Sequence, residues 1–265
     1  MSNIVAIHSF RGGTGKSNLT ANVATQVAMR GHRVAIVDTD ISSPGIHAIF
    51  GFEDTHTRKT LNDYLWGNAT IEEVAYPLRE MAQADPERAF LADLEMWLIP
   101  SSIRTGAITR ILREGYDVTL LNEGFYTLLT DLELDYLFID THPGLSDETL
   151  LSIALSNMLL IVLRPDQQDF QGTAVTVDVA QRLDVPHLRL VANKVSGRYD
   201  TAKMRAELAE TFGVPVVGML PLSEDVAFNG SRNVFSALHP EHPWSRALQE
   251  VVQDVLTIHD EAAEA

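Results

Sequence analysis

Short apolar runs recur along the chain, each followed by a longer stretch with helical spacing. Residues 4–7, 34–37, 97–99, 136–139, 158–163, 188–191 and 214–220 are rich in β-branched side chains, and most show no in/out alternation. Strands buried on both faces read this way, because helices cover both sides of a parallel sheet. Between them, residues 19–29, 149–156, 174–183, 202–212 and 244–258 carry amphipathic patterns of helical length. In the first of these, apolar side chains at 19, 23, 27 and 28 form a stripe. Strand alternating with helix predicts an α/β fold, a doubly wound and mostly parallel sheet flanked by helices. Its ligand site is expected beyond the carboxyl ends of the strands. Residues 51–95 break the rhythm, being polar and aromatic (Tyr64, Trp66, Tyr76) with a turn at Pro86. They are expected to form short helices inserted at one sheet edge, so that residues 1–265 make a single domain.

Composition narrows the function. Hydrophobic residues at 45% and charged residues at 21% fit a globular chain and exclude a disordered or collagen-like one. With 20 Lys and Arg against 36 Asp and Glu, the net charge of −16 opposes whole-surface binding to nucleic acid or anionic lipid. The chain has no cysteine. That excludes disulfides, thiolate zinc sites, cysteine-held iron–sulfur clusters and cysteine nucleophiles. No apolar run reaches the roughly 18 residues of a membrane span. The opening residues lack a basic region before their first apolar run, so the expected location is the cytoplasm. An acidic, alanine-rich tail is expected over 259–265.

Gly12-Gly13-Thr14-Gly15-Lys16-Ser17 follows the first predicted strand and opens the first predicted helix. Residues 10–17 fit the pattern G-x-x-x-x-G-K-[ST] except at its first position, which is Phe10. Glycines let backbone N–H groups turn inward around phosphate oxygens. Lys16 supplies charge to the β- and γ-phosphates, and Ser17 can ligate Mg²⁺. The start of a helix adds a favourable field for an anion. Asp38 and Asp40 close the second strand, where a bound water or metal shell needs oxygen ligands. Either can instead cap the turn at Ser42-Ser43-Pro44. Asp140 ends a buried apolar run, where a carboxylate needs a partner, a metal-bound water or the N–H groups of the next turn.

The run Arg11-Gly12-Gly13-Thr14-Gly15-Lys16-Ser17 resembles the deviant Walker A motif, Lys-Gly-Gly-x-Gly-Lys-[Ser/Thr], of the MinD/ParA group of P-loop ATPases. The likeness extends along nearly the whole chain. Residues 18–24 resemble that group's first helix, and 34–40 its second strand and first switch. Residues 136–140 resemble its Walker B strand, and 218–221 its last strand and nucleotide-base loop. The resemblance implies a P-loop NTPase fold with ATP and Mg²⁺ as ligands. It assigns nucleotide binding to Gly12, Gly13, Thr14, Gly15, Lys16, Ser17 and Asn18, with Gly144, Asn193 and Pro221 further on. Ser17, Asp38 and Asp140 fall to Mg²⁺, and Asp40, Lys16 and Arg11 to catalysis, with Asp40 orienting the attacking water. Gly144 would offer its N–H to the γ-phosphate, and Asn193 would read the adenine edge or serve as a turn residue.

Two positions depart from the group. Arg11 stands where its signature lysine reaches the opposite subunit's nucleotide. A guanidinium can do the same with a broader fork, or bind its own subunit's nucleotide. In the second switch, Thr141-His142-Pro143-Gly144 differs from the commoner versions, and His142 is expected to be solvated. Lys194, Arg198, Lys203 and Arg205 form the one basic cluster. Asp200, Glu207 and Glu210 interleave it, so it reads as a solvated helix face, with direct DNA binding not favoured. His239 and His242 lie in a proline-rich turn without metal-ligand company.

The resemblance implies a slow ATPase that forms a homodimer on ATP and positions or partitions a cargo through a stimulating partner protein, without integral membrane association. The alternatives are a metabolic enzyme of the dethiobiotin-synthetase or amidotransferase type, and a nucleotide-dependent scaffold with negligible hydrolysis. Iron–sulfur carrier relatives are excluded by the missing cysteines.

Overall fold

The computed structural model describes residues 2–52, 58–83 and 85–264. Its strands are β1 (Asn3–His8), β2 (Val34–Asp38), β3 (Tyr76–Pro77), β4 (Met96–Ile99), β5 (Tyr136–Asp140), β6 (Met158–Leu163), β7 (His187–Val195) and β8 (Val216–Pro221). They form one sheet in the order β3-β4-β2-β5-β1-β6-β7-β8. Every neighbouring pair is parallel except β3 with β4, so the expected doubly wound architecture is present with one short antiparallel edge. The helices are α1 (Lys16–Ala28), α2 (Ile46–Ile49), α3 (Leu61–Leu65), α4 (Thr105–Glu114), α5 (Thr119–Asp131) and α6 (Asp147–Leu155). They continue with α7 (Gln167–Arg182), α8 (Thr201–Phe212), α9 (Glu224–Asn229), α10 (Phe235–Leu238) and α11 (Pro243–Glu264).

The continuous apolar runs are explained by burial on both sides. Strands β1, β2, β4, β5 and β6 are buried at every position. Successive side chains alternate between faces. Val5 and Ile7 of β1 join Ile36, Phe138 and the α11 residues Leu248, Val251 and Val255 in one cluster. Ile4, Ala35, Val37, Leu137 and Ile139 point the other way, onto Leu121, Phe125 and Leu128 of α5. On that second side, β6 and β7 pack Leu159, Ile161 and Leu190 against α7 and α8.

Residues 51–95 contribute to both main clusters. Phe52, Leu78 and Leu91 join the first, and Leu61, Leu65, Ile71 and Val74 the second. The segment carries α3, three 3₁₀ turns and β3, which pairs with β4 through Tyr76 and Pro77. Residues 53–57 and 84 lie outside the described residues. Helices α4 and α5 add to the elements expected from the sequence. Gly124 has a packing reason: a Cβ there would lie 2.9 Å from the Tyr64 ring. Helix α11 runs on to Glu264, through most of the segment expected as a tail, while Ala265 is outside the described residues. Among the described residues, no helix is long and apolar enough to cross a membrane.

This topology fixes the site. β1 lies between β5 and β6, and the chain winds outward from it in both directions. The crevice beyond the carboxyl ends of strands at such a reversal is open to a ligand.

Candidate nucleotide site

The loop between β1 and α1 closes with Gly13 at φ 78° and Gly15 at φ 94°, conformations that side chains resist. Gly15 is required twice over, since a Cβ there would also lie 2.5 Å from Asn193 Nδ2. That amide donates to Thr14 O at 2.8 Å, and Asn193 Oδ1 accepts from Lys194 N at 2.9 Å. Lys194 has a left-handed backbone (φ 58°), and its Nζ donates to Gly13 O at 2.7 Å. The end of β7 therefore braces the loop from outside. Asn193 keeps one donor and one acceptor beyond these bonds, and it borders a cavity of about 260 Å³ with Asn18, Pro221 and Ser223. Its established contacts make it a brace of the loop, a role that the adenine-reading expectation did not include.

A second cavity of about 320 Å³ is lined by Ser9, residues 12–18, Asp40, Ser43 and Pro143. Most of the residues that the resemblance assigned to phosphate and to the attacking water thus share one space. Lys16, buried, donates from Nζ to Asp140 Oδ1 at 2.6 Å. The Thr20 hydroxyl, one turn along α1, lies 3.2 Å from the same oxygen and 3.0 Å from Lys16 O, so its one proton is shared between them. Its i+4 spacing from Lys16 was a readable signal for this partnership. Asp140 Oδ2 is buried without a hydrogen-bond partner among the described residues.

Asp38 and Asp140 are paired in register across β2 and β5. Burial, reinforced by the neighbouring Asp140, pushes the Asp38 carboxyl well above the usual carboxylate range. Its oxygens accept from Asp40 N at 3.1 Å and Gly45 N at 3.3 Å, so it also organises the loop that follows β2. Asp38 and Asp140 do not line the cavity that Ser17 borders, but two buried carboxyls, one with an oxygen unpartnered among the described residues, supply oxygen donors of the kind a hard divalent cation takes. Among the described residues, no group of three or more His, Cys, Asp or Glu is placed to hold a metal. The residues therefore fit a Mg²⁺ that keeps water and phosphate oxygens in its shell, and not an all-protein cage.

Asp40 is where reading the sequence and observing the structure differ most. Its Oδ1 accepts from Ser43 N (3.1 Å), Ser43 Oγ (2.9 Å) and His142 Nδ1 (2.7 Å). His142 is thus not the solvated loop residue expected; the loops after β2 and β5 meet through it. Burial raises the Asp40 carboxyl, but the His142 hydrogen bond and the Lys16 charge outweigh burial and hold it below its ordinary value. The same hydrogen bond raises His142. Gly144, at φ 88°, donates its N–H to Ser9 O at 3.3 Å.

His8 carried no sequence signal. It ends β1 fully buried, with Nδ1 2.8 Å from Thr141 Oγ1 and Nε2 unpartnered. Thr141 Oγ1 donates to Ile7 O, which leaves His8 Nδ1–H as the donor to Thr141. Burial, then the charges of Lys16 and His142, push the His8 imidazole down to about 3, so it is neutral.

Arg11 does not line the 320 Å³ cavity. Its guanidinium lies 3.5 Å from Asp169 and 3.8 Å from Asp166, at the start of α7, where Arg164 shares both carboxylates. The basic cluster is also dispersed. Lys194 serves the loop, Arg205 pairs with Glu250 and Val216 O, and Lys203 lies 3.8 Å from Glu207.

A glycine loop at a helix start, its lysine on the carboxylate that ends the neighbouring strand, and a switch-point crevice define a P-loop NTPase fold. The chain belongs to the CobQ/CobB/MinD/ParA nucleotide binding domain family, which matches over residues 5–236. It is 28% identical over 262 residues to an uncharacterised ATP-binding protein of Methanocaldococcus jannaschii, covering 97% of this chain and 89% of that one. It is 27% identical over 258 residues to an iron–sulfur cluster carrier protein of Clostridium perfringens, covering 90% and 83%. The fold superposes on the cell division ATPase MinD of Pyrococcus furiosus with a TM-score of 0.80 at 20% identity, covering 97% of this chain and all of that one.

Proposed function

We propose that this chain binds ATP with Mg²⁺, hydrolyses it slowly, and dimerises face to face while ATP is bound. The observation that carries this reading is the shared cavity, where the braced phosphate loop, Lys16, Ser17 and Asp40 face one space. The loop's N–H groups and Lys16 would hold the phosphates, with Ser17, Asp38 and Asp140 around the cation. Mg²⁺ would neutralise charge on the β- and γ-phosphates. Asp40 keeps Oδ2 free of hydrogen bonds among the described residues, so that oxygen can accept a proton from a water aligned on the γ-phosphate. Its depressed carboxyl keeps it ionised for that task. The loops after β2 and β5 would shift when the γ-phosphate leaves, and a partner protein would read that change and stimulate hydrolysis. Positioning of a cargo through such a partner is the output that best fits the likeness to MinD.

The carrier activity named for the Clostridium protein does not carry over easily. Iron–sulfur clusters are held by cysteine thiolates, and this sequence has none.

Dimerisation tests the arrangement, through Arg11. Its ion pair with Asp166 is part-exposed on both sides and costs little to break, and the buried Asp169 keeps its bond from Arg164 when Arg11 leaves. The guanidinium is therefore available to reach a second subunit's nucleotide. In an Asp40→Ala background that retains ATP, light scattering should show an ATP-dependent dimer that Arg11→Ala abolishes while nucleotide affinity persists. A dimer indifferent to Arg11→Ala would reject the contact across subunits.

A further inference from the structure

The Asp40 side chain makes two kinds of bond. Those with Ser43 N and Ser43 Oγ stay within the loop after β2 and form a local turn. Such a turn can move as a unit, carrying the carboxylate with it. The bond from His142 Nδ1 comes from a residue 102 positions away, in the loop after β5. Among the described residues, it is what ties the carboxylate to the second loop. His142 is itself fixed on that side. Its carbonyl accepts from Thr149 Oγ1 at 3.2 Å, at the start of α6, and two residues before it Asp140 is anchored by Lys16 and Thr20. Ser42 Oγ lies 3.1 Å from the same ring nitrogen, but the carboxylate is nearer and is the stronger acceptor.

We infer that His142 is a positioning residue for hydrolysis: by holding Asp40 Oδ1, it fixes the carboxylate of a residue that lines the phosphate cavity and whose Oδ2 is free of hydrogen bonds among the described residues. The inference rests on the proposed ATPase reading. The chemistry needs one fixed oxygen in line with the γ-phosphate, and errors of about 1 Å in such placement lower rates by roughly 10²-fold. His142 touches neither nucleotide nor water in this account. It acts on the rate through Asp40 and leaves phosphate binding to the loop before α1. It also joins the two loops expected to respond to the γ-phosphate, so they would hold or release the water together.

The test separates geometry from folding. His142→Ala removes the donor. His142→Asn restores it, because an asparagine Nδ2 occupies nearly the place of the imidazole Nδ1. His142→Gln moves its amide nitrogen out towards the place of Nε2. Steady-state phosphate release and fluorescent-nucleotide binding would be measured for all four proteins, with thermal unfolding as a control. The expected result is a kcat lowered roughly 10- to 100-fold in His142→Ala and His142→Gln. His142→Asn should stay within about threefold of the parent, a small loss for a bond kept in kind. KM and nucleotide affinity should be nearly unchanged in all of them. If His142→Ala does not fold, the contrast between Asn and Gln decides alone. A parent-like kcat in His142→Ala, equal rates for Asn and Gln, or a loss confined to KM would overturn the inference while leaving the ATPase reading in place. A parent protein that binds ATP but does not turn it over would overturn both.

Discussion

The phosphate loop and the pair of acidic loops face the same cavity, but they are built on different principles. The phosphate loop is short, glycine-rich and braced by direct bonds from Asn193 and Lys194 to its carbonyls. Its turn comes from its own glycines at 13 and 15, and its braces come from residues 179 and 181 positions away. The acidic loops after β2 and β5 meet through Thr39 N and Oγ1 on Asp140 O, and through His142 with Asp40 and Ser42. Their geometry depends on residues far apart in sequence. Under the proposed function, a glycine cradle for the phosphates beside two loops joined by side-chain bonds would suit a site whose binding step is constant and whose switch moves.

The largest effect should come from breaking the cradle at its charge. Lys16 and Asp140 are both buried, so Lys16→Ala leaves an uncompensated carboxylate inside the protein. Nucleotide-free stability should fall by about 3–5 kcal/mol in urea unfolding. Adding Asp140→Asn should recover much of that loss, because it removes the stranded charge. Recovery of stability without recovery of ATP binding would separate the lysine's structural role from its phosphate role. Full ATP affinity in Lys16→Ala would refute the cradle.

Gly15→Ala should cost less but act on the same region. The φ of 94° and the approach to Asn193 both resist a Cβ. Strain of this kind is worth about 1–3 kcal/mol, and nucleotide affinity should fall with it. Adding Asn193→Ala should return part of the affinity by relieving the clash, which calorimetric titration with ADP would show.

A smaller effect distinguishes the acidic side by pH. The His8 imidazole is held near 3 in the folded protein, against an ordinary value of 6.5. The unfolded chain therefore binds the proton that the folded chain refuses, and stability falls as pH drops below 6.5. Between pH 6.5 and 5, this one group should contribute a slope approaching about 1.4 kcal/mol per pH unit. A folded His8→Gln variant should lose that slope even if its stability at pH 8 is lower. An unchanged slope would mean that His8 is protonated or accessible in the folded state.

The same contrast explains what could be read from the sequence. The apolar runs announced seven strands because parallel strands are buried on both faces, and the observed sheet keeps those seven and adds β3. The loop from Gly12 to Ser17 was legible because its chemistry is contiguous. The partnership of His142 with Asp40 was not, since no local spacing reports a bond between residues 102 positions apart. The same holds for Lys194 and Gly13, 181 positions apart, which sequence proximity alone had grouped with Arg198 and Lys203. Arg11 was legible as a charge beside the loop, but its carboxylate partners Asp166 and Asp169 come from the start of α7. Helix α4 was legible and went unread, since Ala107, Ile108 and Ile111 keep helical spacing and Gly115 lies beyond its end.

The central claim is that one cavity both holds the phosphates and aims the Asp40 carboxylate at a water. It is tested most directly by phosphate release from Asp40→Ala at saturating ATP and Mg²⁺, alongside nucleotide affinity measured on the same preparation. Among the described residues, the bonds of Asp40 go to Asp38, Ser43 and His142 and not to the phosphate loop, so affinity should stay within about twofold of the parent. Turnover should fall by roughly 10²-fold or more, the usual scale for losing a group that handles the proton. Hydrolysis at the parent rate with intact binding would contradict the account, because the carboxylate lining the cavity would then have no part in the reaction.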